Sequence, residues 1–123
     1  MAHVLVIDDQ ESMRSIISQM LKDNGHQVTT AEDGEEGLRI FEGNPSSFNL
    51  VMCDVNMPKI DGFEFLKRVK SSHPKSAVIL LTGTNEDIAR YVGKEYKADA
   101  ILKKPFVVED VMQIVEMVIA STR

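Results

Sequence analysis

Leu50-Val51-Met52-Cys53-Asp54 runs on into Val55-Asn56-Met57-Pro58-Lys59-Ile60-Asp61-Gly62. Four apolar residues without a break have the length and composition of a strand buried on both faces. The Asp that closes the run stands where such a strand leaves its sheet. In open α/β sheets ligands bind in the crevice beyond the carboxyl ends of the strands, so this run predicts an acid delivered to a crevice. A second run, His3-Val4-Leu5-Val6-Ile7, closes on Asp8-Asp9 in the same way. Three acids brought up by two strands suggest a hard-cation site with one carboxylate left for chemistry.

Outward from these runs the chain alternates between strand and helix patterns. Strand-length apolar runs fall at 3–7, 27–30, 50–53, 77–81 and 100–102. The first helix carries Met13, Ile16, Ile17, Met20 and Leu21 on one face and is stopped by Gly25. A short one over 35–42 has Leu38, Ile40 and Phe41. The pattern over 62–72 sets Phe63, Leu66 and Val69 together before Pro74. Over 86–96, Ile88, Val92 and Tyr96 recur at helical spacing, with Gly93 weakening the helix by up to about 1 kcal/mol. The last helix, 107–119, has Val111, Ile114, Val115 and Val118 in phase. This order predicts an α/β fold, a doubly wound five-stranded parallel sheet with helices on both faces. The expected strand order is 2-1-3-4-5, which makes strands 1 and 3 neighbours at the switch point and converges Asp8, Asp9 and Asp54. Gly43 to Asn49 reads as a surface loop.

Composition sets the outer bounds. At 123 residues, 43% hydrophobic and 27% charged, the chain reads as one globular domain, 1–123. Lys and Arg number 14 against 19 Asp and Glu, a formal charge of −5, which lacks the basic footprint that nucleic-acid binding requires. Cys53 is the single cysteine, and His3, His26 and His73 are scattered, so neither an internal disulfide nor a zinc spacing is present. No run has the length of a membrane span or of a signal peptide's apolar core. No membrane partner and a cytoplasmic location are therefore expected.

Each candidate also has a plainer explanation. Asp9 alone reads best as the N-cap of the first helix, although Ser12 stands where a reciprocal capping box would need Glu or Gln. Asp54 alone serves equally well as a loop-starting acid, Thr82 as a turn residue and Lys104 as a solvated loop charge. Asp8 resists such a reading, because an unpaired acid between a buried strand and a cap would be costly. Converging carboxylates also need a positive charge among them. The fourth strand ends in Thr82-Gly83 and the fifth in Lys103-Lys104-Pro105-Phe106, an X–Pro step of the kind that can be cis. Four strands thus place Asp-Asp, Asp, Thr and Lys at one edge of the sheet.

With Asp8-Asp9, Asp54 in D-V-N-M-P-K-I-D-G, Thr82-Gly83 and Lys104-Pro105-Phe106 in this order, the chain resembles a response-regulator receiver domain of two-component signalling, chemotaxis-regulator-like, over its whole length. The resemblance implies a flavodoxin-like sheet and a module that is no enzyme beyond its own phosphorylation and dephosphorylation. It implies Mg²⁺ on Asp9, Asp54 and the backbone carbonyl of Asn56, with Asp8 acting mainly through water. Asp54 would be the phosphoacceptor, forming an aspartyl phosphate at the expense of a phosphohistidine. Lys104 and Thr82 would bind the phosphoryl oxygens, Pro58 and Gly62 would shape the adjoining loop, and Asn56 and Thr84 would flank the phosphoryl group. The implied partners are a sensor histidine kinase or phosphotransfer protein, and a downstream protein effector meeting the face formed by 86–119. On that face Arg90, Tyr91, Lys94 and Lys97 would join Gln113 and Glu116. One departure from the family pattern is Ile101, where an aromatic switch residue often stands. A phosphohydrolase with an aspartate nucleophile is the alternative, disfavoured because Ile7-Asp8-Asp9-Gln10 lacks the D-x-D spacing. A flavin-binding domain on the same fold is disfavoured by three acids at the phosphate position.

Overall fold

The computed structural model describes residues 2–83, 90 and 94–121. Within them the chain forms β1 (His3–Ile7), α1 (Glu11–Asp23), β2 (Gln27–Ala31), α2 (Gly34–Gly43), β3 (Leu50–Asp54), α3 (Gly62–Ser72), β4 (Val78–Thr82), β5 (Ala100–Lys103) and α4 (Val108–Ser121). The helix expected over 86–96 falls largely outside the described residues, as does Thr84. A single 3-10 turn, Pro45–Ser47, interrupts the loop expected over Gly43 to Asn49, with proline favouring its first turn. The five strands form one parallel sheet in the order β2-β1-β3-β4-β5, as the alternation predicts. The fourth strand sits one residue later than its apolar run. Val78 is the first residue to pair with β3, and Thr82 stays in the ladder by pairing with Lys103 and accepting from the Lys104 N–H at 2.7 Å.

Strand periodicity divides the core in two. Val4, Val6, Met52, Ile79, Leu81 and Leu102 face α1 and α4, against Ile17, Leu21, Val111 and Val115. Leu5, Ile7, Val51, Cys53, Val78 and Leu80 face α2 and α3, against Phe41, Phe65, Leu66 and Val69. Both faces of β3 and β4 are buried throughout, which is why those runs read as unbroken apolar sequence. Cys53 is core filling, fully buried. No helix among the described residues is long and apolar enough to cross a membrane.

The helix starts show how the loops at the carboxyl edge are fixed. Asp33 caps α2 by accepting from the Glu36 N–H at 2.8 Å, and Asp61 caps α3 by accepting from the Glu64 N–H at 2.8 Å. The α1 start differs from the capping reading of Asp9: Gln10 occupies the N-cap and makes no side-chain cap bond. Asp9, one residue earlier, is exposed.

At the start of α2 the chain approaches the β3–α3 loop so closely that a Cβ on Gly34 would collide with the backbone carbonyl of Ile60. Helix propensity alone predicts that Gly34→Ala stabilises the protein. The collision is with main chain, which cannot swing aside, so the expected result is the reverse, a loss of about 1–3 kcal/mol. Urea denaturation of the variant measures the sign directly.

Candidate functional site

Register brings the acids together. Ile7 pairs with Cys53, so the next residues, Asp8 and Asp54, leave β1 and β3 side by side. Asp54 pairs with Leu81 and Thr82 with Lys103, which sets Thr82 one step further along β4 and Lys104 just past the end of β5. Asp8, Asp9 and Asp54 each offer a carboxylate oxygen, and the three oxygens lie within 4.8 Å of one another. Asp8 and Thr82 are fully buried and Asp54 nearly so, whereas Asp9 is exposed.

Lys104 closes the cluster. Its Nζ lies 3.2 Å from Asp8 Oδ2 and 3.1 Å from Asp54 Oδ1. The Lys104–Pro105 bond that precedes the turn into α4 is cis. Asp8 is engaged at every polar atom: its N–H donates to the Ala31 carbonyl, Oδ1 accepts from the Gln10 N–H, and its carbonyl accepts from Arg14 Nη1 at 2.7 Å. Burial pushes the Asp54 carboxyl above its ordinary value, and the charge of Asp8 adds to the push against the opposing pull of Lys104. For Lys104, burial works against the ammonium, but Asp54 and Asp8 outweigh it and the net shift is upward. The result is a charged lysine between two carboxylates of which one is held ionised at a cost.

The loop after Asp54 is anchored on both sides. The Gly62 N–H donates to the Val55 carbonyl at 2.9 Å, and a Cβ at Gly62 would collide with the Asp54 carbonyl oxygen, so only glycine lets α3 start this close to Asp54. Lys59, in the left-handed region at φ 69°, reaches Asp33 at 3.4 Å and joins this loop to the α2 cap. Asn56, two residues past Asp54, and Pro58 are exposed at its outer side. Three carboxylates whose oxygens lie this close make an all-oxygen donor set. That set fits Mg²⁺, a hard cation that accepts few protein ligands and retains water.

The remaining expectations concern the face over 86–119. Arg90, Lys94, Lys97 and Gln113 are exposed, and Tyr91 lies outside the described residues. Glu116 is only partly a solvent residue: its carboxylate meets His26 Nε2 at 3.0 Å, toward α1 and the start of β2. Ile101 is half-buried and packs into the α2–α3 side of the core with Tyr96 and Ala98. Lys103 is exposed. A cavity of about 640 Å³ between Phe48, His73 and Pro74 opens at the opposite, amino-terminal edge of the sheet and touches none of the acids.

Comparison with known proteins agrees with this geometry. The family model of the response regulator receiver domain matches residues 4–116. A probable chemotaxis protein CheY of Rhizobium etli is 35% identical over 123 residues, covering 98% of this chain and 94% of its own. The alkaline phosphatase synthesis transcriptional regulatory protein PhoP of Bacillus subtilis is 35% identical over 84% of this chain, which spans only 42% of that protein. Among solved structures, a response regulator receiver domain protein from Clostridium thermocellum superposes with a TM-score of 0.93 at 34% identity, covering 98% of this chain and 96% of its own. Chemotaxis protein CheY4 of Vibrio cholerae follows at 0.87 and 36%, covering 96% and 98%. The chain belongs to the response regulator receiver domain family, which sets aside the phosphohydrolase and flavin-domain alternatives.

The electrostatics give a signed expectation. A carboxyl whose folded-state pKa lies above the unfolded one favours folding below the unfolded value, near 3.8 for Asp54, and loses that contribution as the pH rises through the folded value. At neutral pH the ionised Asp54 therefore weighs against the fold. Asp54→Asn keeps the shape and removes the charge. It should melt higher than wild type at pH 7, with the gain shrinking as the pH is lowered toward about 4. Thermal unfolding followed by circular dichroism over that range tests this, and a lower melting temperature for the variant at pH 7 would contradict it.

Proposed function

We propose that this receiver domain, taken as the single unit 1–123, accepts a phosphoryl group on Asp54 from the phosphohistidine of a sensor kinase or phosphotransfer protein. The reading rests above all on Lys104 Nζ held between Asp54 and Asp8, at 3.1 and 3.2 Å, inside a three-carboxylate cluster. An Asp54 oxygen attacks phosphorus, an O–P bond forms, the P–N bond of the donor breaks, and the departing imidazole takes up a proton. Asp9, Asp54 and the Asn56 carbonyl would hold Mg²⁺, with Asp8 reaching it through water. The ion, when bound, offsets the repulsion between the acceptor carboxylate and the incoming anion.

The residues of the chain divide the work. Asp8 is held at each polar atom, including Oδ2 by Lys104, and is a poor nucleophile for that reason. Asp9 is exposed and open to a ligand. Lys104 already neutralises Asp54, and on phosphorylation it exchanges a carboxylate oxygen for a phosphoryl oxygen. Thr82, one register step past Asp54 on the neighbouring strand, supplies a hydroxyl for another. The output is an altered surface over 86–119 that meets a protein effector in the cytoplasm, without direct nucleic-acid contact by this domain.

Incubation with acetyl phosphate and Mg²⁺ should add one phosphoryl mass, lost in Asp54→Ala and in excess chelator. Persistent labelling under either condition would remove Asp54 or the cation from the mechanism. Thr82→Ala should still accept phosphate while losing most of the conformational response. A charge-assisted hydrogen bond contributes about 1.5–3 kcal/mol, enough to bias a two-state equilibrium by about one to two orders of magnitude. Amide shifts of phosphorylated Thr82→Ala identical to those of phosphorylated wild type would show that this hydroxyl does not carry the signal.

A further inference from the structure

Arg14 lies outside the acids, yet both its main chain and its side chain hold the turn that bears them. Its N–H donates to the Gln10 carbonyl at 3.0 Å, and Nη1 donates to the Asp8 carbonyl at 2.7 Å. Between these two anchors Asp8 Oδ1 accepts from the Gln10 N–H at 2.9 Å, so residues 8–10 are closed by three hydrogen bonds. The turn needs such bracing because α1 begins without a side-chain cap. Asp9 is the middle residue of the braced turn and the exposed member of the acid cluster. Its Cα direction is set by the peptide units on either side, and the Asp8 carbonyl that Arg14 grips belongs to the peptide bond leading into Asp9.

We infer that Arg14 is a positioning residue for the metal site: its guanidinium fixes the Asp8–Asp9 peptide and thereby the direction in which the Asp9 carboxylate meets a divalent cation. This rests on the metal role proposed above for Asp9 and Asp54. Guanidinium suits the task because a planar donor, half-buried against a carbonyl, retains its charge at any pH the protein meets. The charge itself works in the opposite direction. A cation near the cluster repels Mg²⁺, so a purely electrostatic Arg14 would weaken metal binding and its removal would strengthen it. Positioning and electrostatics therefore predict opposite signs for one variant.

The test is a Mg²⁺ titration of the intact chain, followed by amide chemical shifts at residues 8–10 and 54–56, for wild type, Arg14→Ala and Arg14→Lys. Arg14→Ala is expected to bind Mg²⁺ about tenfold more weakly, the scale typical of groups that orient metal ligands. Arg14→Lys, which keeps one donor within reach, should fall between. The urea midpoint, measured without metal, should fall only slightly in Arg14→Ala, by the loss of one hydrogen bond, and less in Arg14→Lys, and the shifts of residues 8–10 should move in the metal-free Arg14→Ala protein. Phosphorylation by acetyl phosphate at saturating Mg²⁺ should recover toward the wild-type rate, since the partner-free donor reports the metal site alone. Unchanged or tighter Mg²⁺ binding by Arg14→Ala would overturn the inference. So would a loss of affinity matched by a collapse in the urea midpoint of both variants. A wild-type chain that ignores Mg²⁺ would overturn the metal role itself, and this inference with it.

Discussion

The fold is organised around carboxylates that would not share a crevice by choice. Asp8, Asp9 and Asp54 present oxygens within 4.8 Å of one another, and two of the three are buried. Mutual repulsion and desolvation both oppose this arrangement. A single lysine arriving from β5 offsets part of the cost, and the upward shifts of Asp54 and Lys104 show both sides of that balance. The site is thus left short of positive charge. A further positive charge brought among these carboxylates would relieve the repulsion that remains.

Holding such a cluster in place requires everything else to be rigid. The two hydrophobic layers on either side of the sheet leave β3 and β4 with no exposed residue, which fixes the register that sets Asp54 against Asp8 and Thr82. Local devices then secure the loops. Asp33 and Asp61 begin their helices with capping bonds, Lys59 links the loop after Asp54 to the α2 cap, and glycines at 34 and 62 permit backbone contacts that any side chain would prevent. The acid turn after β1 lacks a capping side chain and takes its support from Arg14 instead.

Much of this was readable from residue order, because strands and the residues that end them carry a signal in one dimension. The unbroken apolar runs of β3 and β4 and the polar residues that close them mark both the sheet and the edge at which chemistry gathers. The caps Asp33 and Asp61 went unread in the sequence, although each is followed three positions on by a Glu, Glu36 and Glu64, a spacing that marks helix starts. Contacts between a side chain and a distant backbone were not legible. Nothing in the residue type of Arg14 says that it grips a carbonyl six positions earlier, and nothing at Gly34 names Ile60 as its neighbour. The capping reading of Asp9 failed for a related reason. The helix boundary fell one residue later, on Gln10, and a shift of that size separates a cap from an exposed acid. Glu116 is exposed as its helix position suggests, but its pairing with His26, 90 residues away, is not legible in the sequence.

The position of Ile101 constrains how a signal could leave the site. It stands on β5, three residues before Lys104, which follows the strand's end, and pairs with Leu80, two residues before Thr82. Its side chain is half-buried in the layer shared with α2 and α3, and it has no group able to form a hydrogen bond. On the proposed function, phosphorylation draws Lys104 and Thr82 toward a common anion, and both strand ends shift relative to the core behind them. An aromatic residue with a hydroxyl could report that shift by exchanging hydrogen-bond partners as it moves. An isoleucine can report it only by the volume it occupies, since a close-packed core transmits displacement but offers an aliphatic side chain few alternative rotamers. On that proposal a response at this strand would be carried by repacking of Ile101 against the α2–α3 layer of the core.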